Sequence, residues 1–239
     1  MRVFAVLPLV GALAAAQIFI SIADATPKKV HTVGLGAVKK VPYSKAGDPA
    51  GAMSGEDSLK IRPLVVDGDV KEWTTGESHD VTARSFVVRR VIKLNDELPG
   101  EKPAAQKAWV WQRGPWLLVD RTTGHVTAIK LPDYDPGVSH VSWFRDYGAY
   151  CGVTASGKSL HAVVAQLAAR KPVLSKKLAA FAGGNGEAVC GEPEWQRDPL
   201  RVTFRPTGKD AVSFEIVPGS TVLVEDSADE AEAAGAKQN

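Results

Sequence analysis

Pro115-Trp-Leu-Leu-Val119, Asp120-Arg-Thr-Thr-Gly124 and His125-Val-Thr-Ala-Ile-Lys-Leu131 read in that order as strand, turn and strand. The flanking runs are rich in β-branched and aromatic residues, while the middle opens on Asp and closes on Gly, residues that start and end a tight turn. A connection this short joins antiparallel neighbours, because parallel strands need a crossover of a dozen residues or more. The same pattern recurs downstream. Arg201-Val-Thr-Phe-Arg205 and Ala211-Val-Ser-Phe214 flank Pro206-Thr-Gly-Lys-Asp210.

Working outward, Ser85-Phe-Val-Val-Arg-Arg-Val-Ile-Lys-Leu94 and Ser213-Phe-Glu-Ile-Val217 have strand composition, and Trp109-Val-Trp111 puts two indoles on one side of a period-two ladder. Leu160 to Arg170 and Ser175 to Ala182 are the stretches open to a helical reading, with Pro172 between them. The expected fold is all-β: mainly antiparallel hairpins in a small propeller-like or sandwich arrangement, with at most one or two short helices.

Composition divides the 239 residues into four parts. Arg2 precedes an almost uncharged run from Val3 to Ala23, and Ala23-Asp24-Ala25 has the small-residue pattern of a cleavage site, so residues 1–25 read as a secretory signal peptide. Retained, the run would serve as an uncleaved anchor; Pro8, Gly11 and Gln17 disfavour a stable membrane helix. Residues 26–57 carry Lys28, Lys29, Lys39, Lys40 and Lys45 among Gly, Ala and Pro, which reads as a flexible basic arm unable to fold alone. Residues 58–224 hold all six tryptophans and form a single β-rich domain; residues 225–239 read as an acidic, disordered tail. The formal charge of +2 gives no strong single-sign field, which excludes nucleic acid as the expected partner.

Export changes the meaning of Cys151 and Cys190, the only cysteines. In an oxidising compartment a lone pair reads as a disulfide, and the spacing excludes a C-x-x-C redox motif.

Val141-Ser-Trp-Phe-Arg-Asp-Tyr147, Ala149-Tyr-Cys-Gly-Val153, the turn Ala155-Ser-Gly-Lys158 and Leu160-His-Ala-Val-Val164 succeed one another in a recognisable order. This segment, residues 139–178, resembles a single blade of a β-propeller. The likeness implies local strands, with Gly157-Lys158 in a hairpin turn and Leu160 to Gln166 as the strand that follows; no second copy recurs at a fixed period. Upstream, Val66-Asp-Gly-Asp-Val-Lys-Glu-Trp73 resembles the opening element of secreted β-sandwich carbohydrate-binding modules related to family nine. That likeness draws attention to Trp73, Trp109, Trp111 and Trp116, since an exposed indole stacks on a sugar face and a buried one fills a core.

Gly152-Val-Thr-Ala-Ser-Gly157-Lys158-Ser159 also matches the phosphate-binding loop pattern G-x-x-x-x-G-K-[ST], in which backbone amides and Lys158 would cradle phosphates and Ser159 would bind magnesium. Such a loop must join a strand to a helix over a parallel sheet, which the hairpin pattern contradicts. Nucleotide binding therefore ranks third among the functional readings. Neither H-x-x-x-H nor H-E-x-x-H spacing is present, so no metal site is expected. His79, Asp133 and Asp135 are the nearest candidates for a loop-borne acid and base in a secreted hydrolase, the second reading. The first is a non-catalytic, envelope-associated binding module, secreted or periplasmic, with carbohydrate or an envelope protein as partner, no cofactor, and no stable membrane span once the signal is removed.

Overall fold

In the computed structural model, the described residues are 30–44, 58–95, 109–136, 139–180, 190–217 and 220–224. The expected signal peptide and acidic tail lie outside them. Within them the protein is all-β, built as three antiparallel sheets with no helix.

The first sheet has seven strands: β1 (Val33–Leu35), β2 (Lys39–Pro42), β3 (Ser58–Val66), β4 (Asp69–Thr82), β5 (Ser85–Asn95), β6 (Trp109–Asp120) and β7 (Val126–Ala128). Asp67 and Gly68 join β3 to β4 with φ of 54° and 88°. Two successive positive φ values give the turn whose twist matches a hairpin, and Asp-Gly is a preferred pair for it.

Residues 33–42 correct the expectation of a flexible arm. β1 and β2 both add to the same edge of β3, pairing Leu35 with Leu64 and Val41 with Leu59. Arg62 ties down the jog between them by donating to the carbonyls of Gly36 and Leu35 at 2.7 and 3.0 Å. The segment is too polar to fold by itself, but Val41 and Tyr43 need only a neighbouring sheet to be buried. Lys39 and Lys40 stay exposed beside them.

β6 runs unbroken through Pro115, although the sequence reads as two separate strands there. Arg89 pairs with Trp116 and Val91 with Arg113, so Gly114 and Pro115 together oppose Arg90 in a bulge, where proline removes no ladder hydrogen bond. The extra residue reverses the alternation of β6. Trp109, Trp111, Arg113 and Trp116 consequently all lie on the sheet face that carries Arg89 and Val91. At the Trp111 end this face curls over the cluster of Val41, Tyr43, Leu59, Ile61 and Val91, and Tyr43 forms a parallel bridge with Trp111. The opposite face buries Leu64, Phe86, Val88, Leu117 and Val119.

The second and third sheets are four-stranded meanders of the same topology. The second holds β8 (Ser142–Phe144), β9 (Tyr147–Val153), β10 (Ser159–Gln166) and β11 (Leu174–Ala180); the third holds β12 (Glu194–Arg197), β13 (Leu200–Phe204), β14 (Val212–Val217) and β15 (Ser220–Val224). They share one core in which Ala149, Leu160, Ala162 and Val164 meet Val202, Phe204 and Phe214. Cys151 and Cys190 are disulfide-bonded with Cα atoms 6.2 Å apart, and Cys190 bridges Pro206, so the bond fastens β9 to the β13–β14 turn.

Neither helical stretch is a helix. Residues 160–166 form β10 and residues 174–180 form β11. Leu160 and Ala162 to Ala165 are buried, Val163 and Ala165 against Tyr150 on one face and the remainder in the shared core on the other. A strand covered on both faces loses its polar alternation, and a short continuous apolar run of that kind imitates a helix.

Candidate functional site

The β5–β6 ribbon extends past the curled end of the first sheet, and Ile92 to Asn95 are exposed on both of its faces. Trp111, opposite Lys93, is half-buried against the β2 cluster; Trp109, opposite Asn95 and one pair further out, is 47% exposed. The Lys93 ammonium lies 5.1 Å from the Trp109 ring centre, a spacing at which the cation and the ring attract. Trp73 on β4 meets Trp111 edge-on at 6.0 Å between ring centres, and Lys39 lies 5.9 Å from the centre of Trp73.

A groove opens beside these rings because two strands part. The β4–β5 ladder ends at the Thr74–Arg90 pair, and the residues beyond it leave a shallow hollow of about 510 Å3 lined by Glu72, Trp73, Arg90, Val91, Lys93 and Trp111. Arg90 Nε donates to Glu72 Oε2 at 2.9 Å across the hollow. Three indoles at two levels with lysines beside them, and a Glu–Arg pair in the gap between β4 and β5, provide apolar ring faces alongside donors and acceptors. Such a surface suits a ligand with both apolar faces and hydroxyls. Glu72, Arg90 and Lys93 escaped the sequence reading because their proximity depends on strand register.

The other nominated residues are dispersed. Trp116 is 6% exposed and packs edge-on against Trp143 at 5.4 Å, so it fills the junction between the first two sheets. His79 stacks on Trp143 at 6.4 Å and its Nε2 donates to the Arg145 carbonyl at 2.9 Å. Asp133 lies instead against Gly152, where an added Cβ would stand 2.8 Å from its carbonyl oxygen, while a Cβ at Gly148 would meet Trp143 at 3.0 Å. Gly148 and Gly152 are four residues apart on one strand, about 13 Å. His79 and Asp133 therefore attach to opposite ends of β9, beyond the reach of a shared proton.

Pro132 and Ser139 are tied to β9, and Asp135 to Ser139. Tyr150 Oη donates to the Pro132 carbonyl at 2.6 Å, Ser139 Oγ donates to the Cys151 carbonyl at 2.7 Å, and the Asp135 carbonyl accepts from Ser139 N at 2.7 Å. Burial, then the negative charge of Asp133, then Tyr134 push the Tyr150 phenol well above its usual range, so it remains a donor.

Gly152, Gly157, Lys158 and Ser159 occupy the β9–β10 hairpin. Gly157 sits at its tip with φ of 66°, Lys158 is exposed, and Ser159 begins β10 in an antiparallel sheet. A strand stands where a phosphate loop requires the amide end of a helix. Compared with protein-family models, with curated proteins and with solved structures, the chain matches none.

Proposed function

We propose that the chain is an exported, non-catalytic binding module that presents the Trp73, Trp109 and Trp111 surface to an envelope saccharide. The carrying observation is the exposed Trp109 continuing the face of Trp111 beside the Glu72–Arg90 groove. An indole projecting from a paired ribbon offers a flat apolar plate, and the Glu72–Arg90 pair supplies hydroxyl partners at the neighbouring groove. The apolar run Val3 to Ala23 and a Cys151–Cys190 bond of the kind that persists in oxidising compartments support export.

The reading is tested by titrating the disulfide-intact protein with soluble peptidoglycan fragments and neutral oligosaccharides while following tryptophan fluorescence. Saturable quenching that disappears in Trp109→Ala and Trp111→Ala supports it. No spectral change with any of these saccharides, or an unchanged affinity in both variants, removes it. Mass spectrometry of the exported protein tests the address separately, with Thr26 expected as the first residue.

A further inference from the structure

A second cavity lies further along the same sheet face, beyond the point where Arg113 donates to Tyr43 Oη. It is a partly open cavity of about 270 Å3 between the first sheet and the segments that lead into β8 and β12. Glu77, Arg89, Arg113 and Trp116 contribute to its walls from the first sheet, His140 from the approach to β8, and Glu192 from the approach to β12.

Arg89 is 5% exposed, and its Nη2 is buried with no hydrogen-bond partner among the described residues. Its Nε reaches only the Gly114 carbonyl, at 3.4 Å. The indole Nε1 of Trp116 is likewise buried without an acceptor. A buried guanidinium lacking an anion is strongly unfavourable, and a neighbouring indole donor in the same condition marks a place built for acceptor oxygens. The arginine fork matches a carboxylate. Arg89 is buried whereas Glu77 and Glu192 are exposed, so the cavity walls carry opposite charges.

We propose that this cavity binds a small zwitterionic amino carboxylate, its carboxylate on Arg89 and Trp116 Nε1 and its ammonium toward Glu77 and Glu192. The volume, just below the roughly 300–1,000 Å3 of ordinary ligand pockets, restricts the ligand to a small molecule. A dianion such as phosphate would satisfy Arg89 but meet two like charges, whereas a zwitterion complements both ends.

The test uses the disulfide-intact exported protein with four probes at matched ionic strength: glycine, acetate, methylammonium and inorganic phosphate. Glycine is expected to raise the melting temperature saturably and to move the indole N–H resonance of Trp116, assigned with Trp116→Phe. Acetate should bind about tenfold more weakly, the equivalent of one lost charge-assisted contact, and the other two should be inert. Arg89→Lys should abolish the glycine response. Glu77→Gln with Glu192→Gln changes exposed side chains alone, so it tests the site even if the Arg89 variant fails to fold: glycine should fall to the acetate level with acetate unchanged. No saturable glycine response, phosphate binding as well as glycine, or a retained preference for glycine in the double glutamine variant would each overturn the proposal.

Discussion

Gly152 and Asp133 meet backbone to backbone: an added Cβ at Gly152 would stand 2.8 Å from the Asp133 carbonyl oxygen, and that same oxygen accepts from Val153 N at 2.8 Å. The first glycine of the phosphate-loop pattern is thus required by the packing of Asp133 onto β9. Val163 Cγ2, 3.1 Å from the same point, closes the remaining side.

Gly152→Ala should therefore cost about 1–3 kcal/mol, the range for overpacking a filled site. Lys158→Ala, at the exposed hairpin tip, should stay within about 0.5 kcal/mol of the parent. Urea unfolding of both variants checks the contrast. Equal stability would mean that Asp133 is not packed against β9.

The disulfide closes a chain separation of 39 residues between the second sheet and the β13–β14 turn. Loop-closure entropy for that length corresponds to about 4 kcal/mol. Cys151→Ala with Cys190→Ala should lower the urea midpoint accordingly, and addition of a thiol reductant to the parent should reproduce the shift. A midpoint insensitive to both would exclude the bond as a stabilising staple.

Tryptophan substitutions should separate by position. Trp116→Ala, which empties the junction against Trp143, is expected to cost about 3–5 kcal/mol, while half-exposed Trp109→Ala should cost about 1 kcal/mol or less. Thermal and chemical unfolding of the pair measures this directly. Comparable losses would place Trp109 in a core instead of on a binding surface.

The Asp120 carboxylate is held below its ordinary value of 3.8, first by the backbone N–H of Thr123 and then by that of Thr122, with Oδ1 at 3.1 and 2.6 Å respectively. A carboxyl group lowered on folding stabilises the protein fully above its unfolded value, and the contribution disappears as pH falls through the folded value. Stability should decline below about pH 4, with part of the decline absent in Asp120→Asn, which keeps the acceptor oxygen but cannot titrate. Unfolding series between pH 2 and 6 would reveal it. Parallel curves for parent and variant would contradict the assignment.

Much of the fold was legible because it was local. Asp120 to Gly124, Pro206 to Asp210 and Ala155 to Lys158 announce their hairpins through turn chemistry, and the strands on either side follow. The strand that the blade likeness implies over Leu160 to Gln166 forms, and the helix that the apolar run of 160–170 leaves open does not, for a reason outside that stretch: the covering of both faces of β10 is decided by Tyr150 on one side and Phe204 and its neighbours on the other. Residues 33–42 of the expected arm differ for the same reason, since β1 and β2 are strands through the edge of β3, while 26–29 and 45–57 lie outside the described residues.

The candidate surface divides in the same way. The sequence by itself determined that Trp109 and Trp111 share a face, because strand alternation is a property of adjacent residues, and the three hairpin signals required an antiparallel fold. The bulge at Gly114 and Pro115, which returns Trp116 to that face, and the choice of Trp116 for burial and Trp109 for exposure came from the tertiary structure alone. The gathering of Arg89, Trp116, Glu77 and Glu192 around one cavity has the same origin. Register and burial are settled by which distant strands meet, and no residue carries that information within its own neighbourhood.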